Sequence, residues 1–197
     1  MKRLKLAILI SGRGSNMTAL LKACELADYP AEPVLVLSNR PEAKGLLIAA
    51  EHGVQTHAID HKPFGKDRPA FEAELTKALE ASGAEIIALA GFMRILTAGF
   101  VERWSGRLIN IHPSLLPKYP GLKTHERAIA AGDKEAGASV HWVTEGVDEG
   151  AVIDQARVPI HSNDTPDTLA ERVLGIEHKL YVRALRLACE TVLSKDG

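Results

Sequence analysis

Leu4-Lys5-Leu6-Ala7-Ile8-Leu9-Ile10, followed by Ser11-Gly12-Arg13-Gly14-Ser15-Asn16, is the stretch that decides the fold. The first seven residues are an almost unbroken apolar run, the signature of a strand buried on both faces. The next six form a glycine turn, and Met17, Leu20, Leu21, Cys24 and Ala27 then recur at helical spacing. Strand, glycine turn and helix in this order begin a parallel α/β sheet. The same run, broken by Lys5 and ending in glycine instead of a small-residue cleavage site, reads as a strand and not as an export signal.

Working outward, the alternation repeats. Residues 34–37 form a second buried strand, and Pro41 suits the first turn of a helix through residue 50. Residues 54–59 give a short strand, 68–81 a helix, 85–90 a strand, 97–103 a short helix and 107–111 a fifth strand. Beyond Ile111 come a proline-rich loop, a short helix over 124–131, and strands over 138–143 and 152–159 joined by residues 144–150. In the last helix Thr165 is the cap and Pro166 lies in the first turn. Its stripe Leu169, Val173, Ile176, Leu180, Ala184 and Leu187 should pack across the sheet. The expected class is α/β: a Rossmann-like, mostly parallel twisted sheet with helices on both faces and an antiparallel C-terminal portion. One domain over 1–197 is expected.

Composition narrows the function. Lys and Arg number 24 against 25 Asp and Glu, a net charge of −1 that makes nucleic acid an unexpected partner. No apolar run approaches the roughly 20 residues of a membrane span, so a soluble, cytoplasmic protein without a membrane partner is expected. The two cysteines, Cys24 and Cys189, read as reduced core thiols without metal or redox spacing. His57 and His61 are four apart but not on a helix face, and metal-free chemistry is the expectation. His125, His141 and His178 read as structural or surface residues.

Two motifs carry chemistry. A glycine turn between strand and helix directs backbone N–H groups and the helix dipole at one point, which suits a phosphate. The third glycine and the acidic residue of a dinucleotide fingerprint are missing, since Met17 and Ser38-Asn39-Arg40 stand there. A ribose 5-phosphate fits better, while Arg40 leaves open a 2′-phosphate and a nicotinamide cofactor, and a tight turn without ligand is a further reading. The second motif is Asn110-Ile111-His112, which ends the fifth strand with both polar side chains on one face, followed by the rigid Pro113-Ser114-Leu115-Leu116-Pro117. An amide donor beside an imidazole makes an oxyanion hole suited to acyl transfer, although such a pair can also simply cap backbone groups. Asp148 is the candidate carboxylate partner; its other reading is a turn-forming residue of a hairpin.

These motifs, with Leu89-Ala90-Gly91-Phe92-Met93-Arg94-Ile95-Leu96 and Gly121-Leu122-Lys123-Thr124-His125, closely resemble the folate-dependent formyltransferases over almost the whole chain. The Gly-x-Gly-Ser-Asn loop resembles the branch that acts on a phosphoribosylated glycinamide. The resemblance implies transfer of the formyl group of 10-formyltetrahydrofolate, as cosubstrate, to the amine of 5-phosphoribosylglycinamide (GAR) in purine synthesis. It implies Asn110, His112 and Asp148 as the catalytic trio, and Gly14, Ser15, Asn16 and Glu177 as the GAR site, Glu177 taking the ribose hydroxyls. For Glu177, beside Ile176, an exposed ion-pairing role is the alternative. The folate pocket falls on Arg68, Met93, Arg94, Ile95, Leu96, Asn110, Thr144, Glu145, Gly146, Val147 and Asp148, with Phe92 and Leu96 as apolar walls. The phosphate-binding half is expected at about 1–105 and the catalytic, folate-binding half at about 106–197. Three positions depart from the common pattern: Glu149 for glycine, Arg13 in the loop, and Val182 for proline after Tyr181. Rival readings are a folate-dependent deformylase, whose added N-terminal regulatory domain is not expected here, an amino-sugar formyltransferase, and an NADP-binding oxidoreductase. Oligomeric state is left open between monomer and homodimer.

Overall fold

The computed structural model describes residues 2–195; Met1 and residues 196–197, the ends of the expected 1–197 unit, lie outside the described residues. The elements run β1 (Leu4–Ile10), α1 (Ser15–Cys24), β2 (Ala31–Ser38), α2 (Lys44–Glu51), β3 (Thr56–Ala58), α3 (Arg68–Ala81), β4 (Ile86–Leu89), α4 (Ala98–Arg103), β5 (Leu108–His112), α5 (Thr124–Ala130), β6 (Glu135–Trp142), β7 (Val152–Pro159) and α6 (Pro166–Lys195). They build one seven-stranded sheet in the order β3-β2-β1-β4-β5-β6-β7. Pairing is parallel from β3 to β5 and antiparallel at β5–β6 and β6–β7, as the sequence predicts.

Alternation along each central strand divides the core. Leu4, Leu6, Ile8 and Ile10 face α1 and α6, whereas Ala7 and Leu9 face α3 and α4 through Phe71, Leu75 and Phe100. Strand order turns back between β1 and β4, and in such sheets the ligand crevice opens at the carboxyl ends of the strands at that point. The loops after β1, β4 and β5 therefore share one rim.

Several boundaries differ from expectation. Helix α1 stops at Cys24, short of Ala27, because tight turns carry the chain away (Leu26 N–H to Ala23 O, Tyr29 N–H to Leu26 O) and the Arg3 guanidinium takes the Cys24 carbonyl at 2.5 Å. Pro41 sits in a turn and α2 starts at Lys44, which brings Gly45 against the glycine loop, its N–H bonded to Gly12 O at 3.0 Å. A Cβ on Gly45 would lie 2.5 Å from Ile10 Cδ1 and 3.1 and 3.2 Å from the Gly12 and Arg13 carbonyl oxygens, so a side chain there would force the loop and Ile10 to give way. Strand β3 is three residues long, without Val54, and β6 begins at Glu135, where it pairs with Pro159. On α6 the expected stripe holds to Ala184 but drifts off Leu187, 41% exposed, and continues through Leu185, Ala188, Cys189 and Val192. Both cysteines are buried free thiols, pushed up to about 12 chiefly by burial. Among the described residues no helix is long and apolar enough to cross a membrane.

Candidate active site

At the β1 end of the rim, Gly14 takes a left-handed conformation (φ 75°, ψ 34°) as the N-cap of α1 and brings no capping side chain. The first intrahelical bond is Thr18 N–H to Gly14 O, and the amides of Ser15, Asn16 and Met17 find no partner among the described residues. Open amides at the positive end of a helix form an anion site. Asn16 is buried behind them; its Nδ2 donates to Glu177 Oε2 at 2.7 Å while its Oδ1 is buried without a partner. Glu177, far along α6, is thus buried under the loop and is not an exposed ion-pairing residue. Burial raises its pKa, with the Asn16 bond acting in the opposite direction. At the end of β2 the position where a dinucleotide fold keeps its ribose carboxylate holds Asn39, whose side chain is turned inward to accept from Ser11 Oγ at 2.6 Å and to meet His61.

At the β5 end, Asn110 and His112 emerge on one face. His112 Nδ1 lies 3.3 Å from Asp148 Oδ2, and Nε2 donates to Tyr119 O at 2.9 Å. Both ring nitrogens face acceptors, which fixes the orientation of the ring. Asp148 reaches inward from the loop after β6 with φ 57°, a conformation that Asp tolerates better than most residues. Its Oδ2 accepts the Gly121 N–H at 2.9 Å. Burial pushes its pKa up, but the hydrogen bonds from His141 and Gly121 and the charges of His112 and His141 outweigh that and hold it below the ordinary value.

His141, read from sequence as structural or surface, belongs to this group. The β5–β6 register sets it opposite Asn110, its Nε2 lies 3.5 Å from Asp148 Oδ1 and 3.4 Å from Asn110 Nδ2, and its Nδ1 donates to Trp142 O. The signal that finds it is the antiparallel pairing of two strands whose polar residues fall in register. Around them Ser139 Oγ, fully buried, donates to Ser114 O and accepts from Leu116 N, which fixes the loop that carries a cis Leu116-Pro117 bond.

Between these ends lies the loop after β4. Phe92 is buried in the core, Met93 and Ile95 are about two-thirds exposed, and the Arg94 guanidinium lies 5.9 Å from the Phe71 ring centroid. Arg68 is exposed in the first turn of α3, in the same neighbourhood through Phe71. On the far side Thr144, Glu145, Gly146, Val147 and Asp148 form the loop between β6 and β7, with Val147 53% exposed. Gly150 closes it, since a Cβ there would fall 1.6 Å from Trp142 O. The Glu149 side chain folds over Gly146, so the departure at 149 is accommodated beside a residue without a side chain. His125 is half-buried with its Nδ1 unpartnered, its pKa lowered by burial and by His112, and it does not join the trio.

Residues 4–185 match the formyl transferase family. The chain is 49% identical over 94% of its length to the trifunctional purine biosynthetic protein adenosine-3 of Drosophila melanogaster, of which it spans 14%. It is 44% identical over 90% of its length to the phosphoribosylglycinamide formyltransferase of Escherichia coli (strain K12), covering 84% of that protein. A crystal structure of phosphoribosylglycinamide formyltransferase from Brucella melitensis superposes with a TM-score of 0.90 at 47% identity, covering 95% of this chain and 96% of the other. With its seven-stranded mixed sheet and a match that runs through every strand, the chain belongs to the formyl transferase family.

Proposed function

We propose that the protein transfers the formyl group of 10-formyltetrahydrofolate to the amine of 5-phosphoribosylglycinamide, as the relatives named phosphoribosylglycinamide formyltransferase do. The observation that carries the reading is the pairing, on one sheet edge, of an uncapped helix N-terminus over a buried Asn16–Glu177 pair with an Asn110–His112–Asp148 cluster. The first fits a substrate with a terminal phosphate and ribose hydroxyls; the second fits charge developing on a carbonyl oxygen.

In this mechanism Gly14, Ser15 and Asn16 hold the phosphate and Glu177 the ribose. The loops with Met93, Arg94, Ile95 and Leu96 and with Thr144 to Asp148 hold the pterin, and Arg68 and Arg94 face the anionic tail. As the neutral amine adds to the formyl carbon, Asn110 and the imidazolium of His112 stabilise the oxyanion. His112 Nε2 reaches that oxygen by sharing, or giving up, its bond to the Tyr119 carbonyl. Asp148 pairs with His112 Nδ1 and positions a water that carries the amine proton to the folate nitrogen as the carbon–nitrogen bond to folate breaks. No covalent enzyme intermediate is needed. The halves at about 1–105 and 106–197 act as one unit, and a cytoplasmic location accords with the unpaired buried thiols.

The deciding assay follows tetrahydrofolate release with GAR present and then omitted. Release that requires GAR and yields formyl-GAR is the expected result; equal release of formate without GAR would make the protein a deformylase.

A further inference from the structure

Residues 92–97 lie outside regular structure, and Arg94, Ile95 and Leu96 donate no backbone hydrogen bond among the described residues. Such a segment should be mobile, yet side chains from two other elements hold both of its ends. At one end Met93 N–H donates to Ser11 Oγ at 2.8 Å, and Ser11, 5% exposed, passes its own hydrogen to Asn39 Oδ1. Ser11 N–H also takes Gly91 O at 3.1 Å. At the other end Glu72, a buried carboxylate on α3, accepts from Thr97 N–H at 2.7 Å and from Thr97 Oγ1. Thr97 in turn caps α4 through the Phe100 N–H.

We propose that Ser11 and Glu72 are positioning residues for the folate-side loop: they clamp Met93 and Thr97 so that the amides between them stay fixed and free for the pterin. This rests on the folate reading given above and adds the residues that prepare the loop. Ser11 also opens the glycine loop, so one hydroxyl joins the two substrate sites across the crevice between β1 and β4. A buried carboxylate aimed at a loop end is costly unless fully hydrogen-bonded, and here both its oxygens are used. Preorganised amides lower the cost of ordering the loop at binding, so loss of a clamp should appear in ligand affinity and not in the chemical step.

The test compares Ser11→Ala, Glu72→Ala and Glu72→Gln with Tyr29→Phe, a control that removes a hydrogen bond to Val182 O away from the loop. Both alanine variants should raise KM for 10-formyltetrahydrofolate and Kd for tetrahydrofolate by about 3–10-fold with kcat within about twofold. Glu72→Gln, which can still accept from Thr97 N–H, should recover most of the loss, and Tyr29→Phe should change neither constant. Hydrogen exchange of the 92–97 amides should quicken in the alanine variants only. Equal rises in both substrates' KM, or folate constants unchanged while exchange quickens, overturn the assignment with formyl transfer intact. Absence of formyl transfer in the wild type counts against the proposed function, and the exchange measurement still decides whether the clamps hold the loop.

Discussion

His112 is held between a carbonyl and a carboxylate, and the proposed mechanism rests on that placement. Asp148 at Nδ1 fixes the ring's orientation before substrate arrives, so the reorganisation left to the reaction is the exchange of the Nε2 bond from Tyr119 O to the oxyanion. Asn110→Ala and His112→Ala should each lower kcat by about 10²–10³ in steady-state assays while retaining the wild-type circular dichroism. Near-normal turnover in both would reject the oxyanion role. His141 touches this cluster through Asp148. Its hydrogen bond helps hold the Asp148 carboxyl below the ordinary value, so His141→Gln should let that pKa rise. In the proposed mechanism Asp148 works as the carboxylate, so the acidic limb of the kcat/KM–pH profile should then begin at higher pH. An unshifted limb would mean that His112 and the Gly121 N–H suffice.

At the level of elements, the glycine loop and α1 form one device. Gly14 supplies the positive φ that aims the three open amides, and Gly45 of α2 is pressed against it. Gly14→Ala puts a Cβ 3.0 Å from Met17 Cε and 3.3 Å from Gly45 Cα, in a conformation that costs about 1–2 kcal/mol for an L side chain. Urea denaturation should show that loss, and KM for GAR should rise several-fold while folate binding holds. A neutral substitution would mean that the turn can form without glycine. The apolar run of β1 and this turn were legible in the sequence because buried parallel strands and left-handed turns leave local marks. The start of α2 was not: Pro41 fits a first helical turn, yet the chain turns there and the helix begins at Lys44, where Gly45 packs on a loop distant in sequence. His141 was missed for a similar reason, since its meaning lies in a cross-strand partner thirty-one residues away.

Across the whole molecule, α6 ties the end of the chain to its beginning. Its apolar positions repeat in threes and fours, so the helix and its packing on the sheet were readable, but nothing local showed that Glu177 would turn under α1 instead of outward. That burial has a measurable consequence. Unfolded, Glu177 titrates near the usual value of about 4.3; folded, burial raises its pKa. The folded chain therefore binds more protons between the two values, and this group's contribution to stability falls as pH rises through that interval and stays low above it. Glu177→Gln does not titrate and can still accept the Asn16 Nδ2–H. The variant should melt higher than wild type at pH 8, by about 2–4 °C for each kcal/mol recovered, and the gap should shrink as pH is lowered toward 4. It should also bind GAR more weakly, because a neutral amide is a poorer acceptor for two ribose hydroxyls, the usual exchange of stability for a working site. A melting difference constant across that pH range would show that the carboxylate is already compensated in the folded protein.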